Sequence, residues 1–154
     1  MPATPAGLRL HAPDPGELQA CAEIFAAGQR EILPEEAGKW TAAYFPEAVA
    51  GEQIIVATTA GGVVAGFLSL WVADRFVHFL HVRAAWRGCG TGRKLLDHAS
   101  LQVQGPLELK CLLSNTAALA FYRRLGWVEV ERVTMAPLPF VRLRQSPGAL
   151  QPRS

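Results

Sequence analysis

Cysteine is scarce in this sequence. Cys21, Cys89 and Cys111 are odd in number, far apart and without Cys-x-x-Cys or Cys/His spacing. That argues against a disulfide framework and a cysteine-based zinc site, and predicts three unbridged thiols and no metal. Long apolar runs are missing too: nothing approaches the roughly 18 consecutive apolar residues of a bilayer-spanning helix. The first 16 residues lack the apolar stretch of a secretory leader. A cytoplasmic protein with no membrane partner is expected. Charge of one sign is also lacking, with 18% charged residues and a formal net charge of +2. The arginines and lysines are spread along the chain without a basic stripe, so nucleic acid is not expected as a partner.

What is present is apolar residue, at 50% of 154 positions, enough to bury a core at the common size of one domain. Leu8 to His11 reads as a short strand. Asp14 and Pro15 then supply an N-cap and a first-turn proline for a helix whose stripe is Leu18, Cys21, Ala22, Phe25 and Ile32, ending at Pro34. A weaker helix is expected over Trp40 to Ala50. From Ile54 to Val72 the residues become β-branched and apolar around Gly61-Gly62, a hairpin signature. Phe76 to Val82 is a further strand, and Leu95, Leu96, Ala99 and Val103 mark a helix that Gly105-Pro106 ends. Leu107 to Leu113 resumes the sheet. Ser114 or Asn115 caps a last helix with Ala118, Phe121, Tyr122 and Leu125 on its buried face and Gly126 as its C-cap. Strands over Trp127 to Thr134 and Phe140 to Arg144 complete the pattern. Residues 1–144 are expected to form a single domain, and 145–154, rich in Pro, Gln and Ser, a flexible tail. The order βααβββαβαββ with short connections predicts a mixed α/β sheet with helices on both faces.

The segment Arg87-Gly88-Cys89-Gly90-Thr91-Gly92 runs from a strand into a helix. It therefore offers open backbone N–H groups beside the positive end of a helix dipole, a place suited to phosphates. A P-loop needs Gly-Lys-Ser/Thr, but Gly92 is followed by Arg93, Lys94 and Leu95. A Rossmann fingerprint needs a third glycine where Arg93 stands, after the first strand of its unit. Both readings fail. Arg87, Gly90 and Gly92 do match the loop pattern of the GNAT superfamily of acetyltransferases: Arg or Gln, two residues, Gly, one residue, Gly or Ala. Upstream, Leu80-His81-Val82 resembles the Leu-x-Val that ends that family's fourth strand. Downstream, Asn115, Ala118, Phe121-Tyr122 and Gly126-Trp127 resemble its Asn-x-x-Ala-x-x-Phe-Tyr-x-x-x-Gly-Phe/Trp segment. These matches cover roughly Val77 to Val128.

The resemblance implies a mostly antiparallel sheet splayed at strands 4 and 5, and transfer of acetyl from acetyl-CoA to an amine acceptor. It is compatible with a homodimer. It places the pantetheine arm against the backbone of Leu80, His81 and Val82 and the pyrophosphate in the loop formed by Arg87, Gly88, Cys89, Gly90, Thr91, Gly92 and Arg93. Asn115 would hydrogen-bond the arm or merely cap its helix. Tyr122 would be the general acid on the departing thiolate, against the plainer reading of a core tyrosine. The glutamate that many relatives carry on strand 4 is Phe76 here. His78 matches one of a pair of histidines in arylalkylamine N-acetyltransferases and is the candidate base through water, as imidazole exchanges protons near neutral pH. His81 and Glu108 are weaker candidates, since a strand bulge decides whether either faces the cleft. Trp40, Tyr44, Phe45 and the Pro137–Phe140 turn suggest a small apolar or aromatic amine, with Glu35, Glu36 and Glu47 nearby. A peptide or protein acceptor, or a non-catalytic acyl-CoA-binding module, remain the alternatives. For Cys89, the basic neighbours Arg87, Arg93 and Lys94 suggest a reactive thiol that the bound cofactor would cover, against the plainer reading that only its backbone matters.

Overall fold

The computed structural model describes residues 7–146. Its seven strands are β1 (Arg9–His11), β2 (Gln53–Thr58), β3 (Val64–Trp71), β4 (Phe76–Val82), β5 (Glu108–Leu112), β6 (Val128–Val133) and β7 (Phe140–Arg144). They form one sheet in the order β1-β2-β3-β4-β5-β7-β6. Every neighbouring pair is antiparallel except β4 and β5. That parallel pair joins only at Phe76 with Glu108 and Val77 with Leu109. Beyond Val77 the two strands part, and the sheet opens as the resemblance implied.

Helix α1 (Pro15–Ile32) begins where local chemistry says it should. Asp14 accepts from the Glu17 N–H at 2.7 Å while Glu17 accepts from the Asp14 N–H at 3.0 Å, a reciprocal cap ahead of Pro15. Cys21, Ala22 and Phe25 are buried as the stripe predicts, whereas Leu18 is exposed. The buried face runs instead through Ile24, Gly28 and Gln29, of which the last two meet His81 of β4. The expected second helix is shorter than its pattern. A 3₁₀ turn over Ala42–Tyr44, capped by Thr41, leads into the single turn α2 (Phe45–Ala48). Helix α3 (Thr91–Ser100) starts at the glycine loop as expected but ends before Val103, and α4 (Thr116–Arg124) follows its expected position.

The helices cover both faces. Phe25, Phe45, Val49, Val56, Phe67 and Phe79 form the core under α1 and α2. Leu68, Leu70, Val77, Leu95, Leu96, Leu109, Tyr122 and Leu143 form the core under α3 and α4. Seven consecutive residues of β3, Val64 to Leu70, are buried, because both of its faces are covered. At the end of β7, Gln145 is buried and ties three elements together. Its side chain accepts from the Leu107 N–H at 2.9 Å and donates to Ser100 Oγ at 2.9 Å. Residues 147–154 of the expected tail lie outside the described residues.

Candidate active site

The register of β3 against β4 contains a bulge. Leu70 pairs with Val77 and Ser69 with Phe79, so His78 has no partner of its own, and Ser69 Oγ accepts the Phe79 N–H at 3.1 Å. A bulge inserts one residue and reverses the alternation beyond it. Val77 and Leu80 therefore face the α3/α4 core, while Phe79 and His81 face α1. His78 is left at the mouth of the opening between β4 and β5.

That opening is a cleft of about 450 Å³. Among the residues expected in the site, His78, Leu80 and His81 of β4, Asn115 and Tyr122 line it together. Val82 and the loop from Arg87 to Arg93 do not line it. The cleft is also lined by Ile32 at the end of α1, by Glu36, Lys39 and Trp40 after it, and by Leu138 between β6 and β7. Tyr44 and Phe45 instead pack against Phe25 beneath it. Glu35 and Glu47 are exposed outside the cleft.

Tyr122 is buried between Phe121 and Trp127, with ring centroids 5.1 and 5.4 Å away. Burial, reinforced by the neighbouring Cys111 thiol, raises its phenol well above the ordinary value, so the hydroxyl stays protonated. It makes no hydrogen bond among the described residues, leaving its proton for the cleft. Asn115 caps α4, its Oδ1 accepting the Ala118 N–H at 3.3 Å, and lines the cleft as well.

The three candidate bases sit in different surroundings. His81 is buried against α1, with Nε2 2.8 Å from Gln29 Oε1. Burial, helped by the Arg87 charge and opposed by Glu31, pushes its imidazole down to about 4. Burial and the Gln29 contact make His81 a poorer proton acceptor than an exposed imidazole, which weakens its case as a base. Burial alone pushes the Glu108 carboxyl up, but hydrogen bonds and charge from Arg144 and Arg142 outweigh it and hold the group below its ordinary value. Those partners stand at 2.8 and 2.9 Å, and Glu108, which does not line the cleft, is a weaker candidate for the same reason. His78 alone is half exposed in the cleft, with Nδ1 2.7 Å from Glu52 Oε2. Glu52 carried no signal in the sequence, since it precedes β2 and matches no motif.

In the glycine loop, Gly90 has φ +83 and occupies the N-cap of α3, where the left-handed conformation suits glycine. A Cβ on Gly92 would come within 3.2 Å of Phe121, so glycine there lets α3 approach α4. Thr91 is buried, leaving its backbone to the loop. The Arg87 guanidinium donates to Val82 O at 3.0 Å and to both Glu31 oxygens at 2.9 and 3.2 Å. No spacing in the sequence announces the Glu31 contact. Arg93 lies 3.9 Å from Asp97 in the first turns of α3, and its Nε has no hydrogen-bond partner among the described residues. Cys89 is 3% exposed, its thiol turned toward Arg87 O at 3.7 Å. This corrects the expectation of an accessible thiol, because the loop folds the side chain inward. None of the three cysteines forms a disulfide.

Among the described residues no group of three or more His, Cys, Asp or Glu is placed to hold a metal, and no helix is long and apolar enough to cross a membrane. A sheet parted between two parallel strands, with a glycine loop after one of them and a tyrosine in the gap, is the architecture of an acyltransferase. Residues 50–129 match the family model described as acetyltransferase (GNAT) domain, and the chain belongs to that family. Its members take acetyl-CoA as co-substrate. The fold is similar to that of a GCN5-related N-acetyltransferase from Rhodopseudomonas palustris, at 24% identity and TM-score 0.69 over 92% of this chain and 96% of that one. It is also similar to apo YjaB from Escherichia coli, at 22% identity and TM-score 0.72 over 90% and 97% of the two chains. A third similar fold is yncA from Salmonella typhimurium, a structure with acetyl-CoA, at 17% identity and TM-score 0.61 over 97% of each chain. No curated protein sequence matches the chain significantly.

Proposed function

We propose that residues 1–144 act as one acetyltransferase domain that moves the acetyl group of acetyl-CoA to a small primary amine by direct attack. The observation that carries this reading is the meeting of His78 and Tyr122, from β4 and α4, in the cleft where β4 leaves β5. The backbone groups of β4 that face the gap pair with the extended pantetheine arm as an added strand would, at Leu80 to Val82. The loop from Arg87 to Arg93 takes the pyrophosphate on open N–H groups at the start of α3, and Arg93 adds charge.

In the reaction the acceptor ammonium gives a proton through water to His78, and the neutral amine forms a C–N bond at the thioester carbonyl. A backbone N–H near Val82 steadies the oxyanion. As the C–S bond breaks, Tyr122 donates its proton to the departing thiolate, and the second proton that the attacking nitrogen must lose to become the amide passes through water to the phenolate and restores it. Because burial raises the phenol above the ordinary thiol range, the step leans on the hydrogen bond to the developing charge rather than on free release of a proton.

The lining favours an aromatic or apolar amine. Trp40, Phe79 and Leu138 are apolar, and Glu36 is already paired with Lys39 at 3.9 Å. With Lys110 added, the cleft presents two lysines to one glutamate, a poor match for a polycation. The test is CoA release with 2-phenylethylamine, spermidine and a lysine-containing peptide. We expect 2-phenylethylamine to turn over fastest, and Tyr122→Phe to lower kcat by about 10²-fold with little change in KM for acetyl-CoA. Fastest turnover of the peptide would make the chain a protein acetyltransferase. No turnover of any amine would make it an acyl-CoA-binding module.

A further inference from the structure

Among the described residues, the charged group bonded to His78 comes from outside the strand that carries it. Glu52 follows α2, its N–H bonded to Val49 O at 2.9 Å. It reaches β4 because Gly51 takes φ +81 and passes under Trp71, where a Cβ would stand 3.0 Å from the indole ring. Its side chain is 7% exposed, and Oε2 lies 2.7 Å from His78 Nδ1. A carboxylate only accepts, so the hydrogen of this bond sits on Nδ1 and the lone pair of the neutral ring is on Nε2. The ring is held a second way, stacked on Phe79 with centroids 4.0 Å apart and planes 22° from parallel. Nε2 has no partner among the described residues, and His78 lines the cleft. The other Glu52 oxygen, Oε1, is buried with no hydrogen bond. A buried carboxylate left half satisfied costs stability, which sets this pair apart from the fully bonded Glu108 pairs on β5 and β7.

We infer that Glu52 is a positioning residue: it fixes the tautomer and orientation of His78, so that Nε2 is the atom that accepts the acceptor's proton. The inference rests on the reading of His78 as the base. The proton passes from the ammonium through water to Nε2, and the imidazolium that forms keeps its Nδ1–H on Glu52 until Nε2 returns the proton to solvent. No bond to carbon forms at either residue, and no electron changes hands. The arrangement follows the logic of a carboxylate behind a catalytic imidazole, which sets the tautomer and faces the charge as it appears.

The test uses the full chain with acetyl-CoA and 2-phenylethylamine, comparing wild type, Glu52→Gln, His78→Gln and the double variant. His78→Gln is expected to lower kcat by about 10²-fold, and Glu52→Gln by about 10-fold or more, with KM for acetyl-CoA unchanged in both. The double variant should be no slower than His78→Gln alone, because Glu52 acts only through the ring. Independent losses that multiply in the double variant, or full turnover by Glu52→Gln beside a slow His78→Gln, overturn the positioning role and leave the base standing. Full turnover by His78→Gln removes the base itself. The imidazole ¹⁵N shifts of the unsubstituted protein give a second readout that needs neither a stable variant nor a substrate: the Nδ1–H tautomer is expected, and the Nε2–H tautomer overturns the inference.

Discussion

His81 and His78 stand three positions apart on one strand and receive opposite treatment from the fold. His81 packs so closely against α1 that a Cβ on Gly28 would come within 2.3 Å of its Nδ1, and its ring is bonded to Gln29. With its imidazole pushed from 6.5 to about 4, the folded protein binds this proton less readily than the unfolded chain does. Stability attributable to His81 is therefore complete above pH 6.5, is lost as pH falls toward 4, and levels off below. The loss amounts to about 3 kcal/mol at roughly 1.4 kcal/mol per pH unit. We expect His81→Gln to remove this acid limb from a plot of melting temperature against pH. An identical limb in the variant would assign the effect to other groups.

At the scale of elements, the glycine loop and α3 act as one unit. Gly90 is at the N-cap with φ +83, and a Cβ there would meet nothing within 4 Å. The cost of a side chain is thus in the backbone, about 1–2 kcal/mol for a residue forced into the left-handed region. Asparagine tolerates that region better than a β-branched residue does. Gly90→Val is expected to weaken acetyl-CoA binding by about 10-fold or more, and Gly90→Asn to stay closer to wild type, as read by calorimetric titration. Equal affinities in all three proteins would detach the loop from the cofactor. Much of this unit was legible beforehand, because glycine punctuation, capping residues and helical periodicity are local signals. The second helix was less so: its apolar pattern spans Trp40 to Ala50, but the chain holds only one helical turn there before Gly51 turns it toward β2.

Across the whole molecule, the cleft exists because two sheet segments meet at only two residue pairs and then separate. An extended ligand seated in that gap joins β4 to β5 and adds its binding energy to folding. Acetyl-CoA at 100 times its dissociation constant should stabilise the fold by about 2.7 kcal/mol and raise the melting temperature by about 5–10 °C. CoA without the acetyl group should do nearly the same, since the loop and arm contacts are shared. No shift with either would mean that the gap is closed to the cofactor.

The sequence by itself determined the order of the elements, the two helical caps, the glycine loop and the helix bearing Asn115 and Tyr122. Each of these depends on residues within a few positions of one another, through dihedral preference, capping and periodicity. Only the tertiary structure decided how the two histidines meet the cleft, for a single bulge at His78 leaves that ring half exposed and turns His81, which also lines the cleft, into burial against α1. It also decided the partners. His78 with Glu52, His81 with Gln29 and Arg87 with Glu31 are 26, 52 and 56 positions apart. Such pairs follow from sheet register and helix placement, which no local pattern encodes, because each depends on how separate elements settle against one another once both cores have formed.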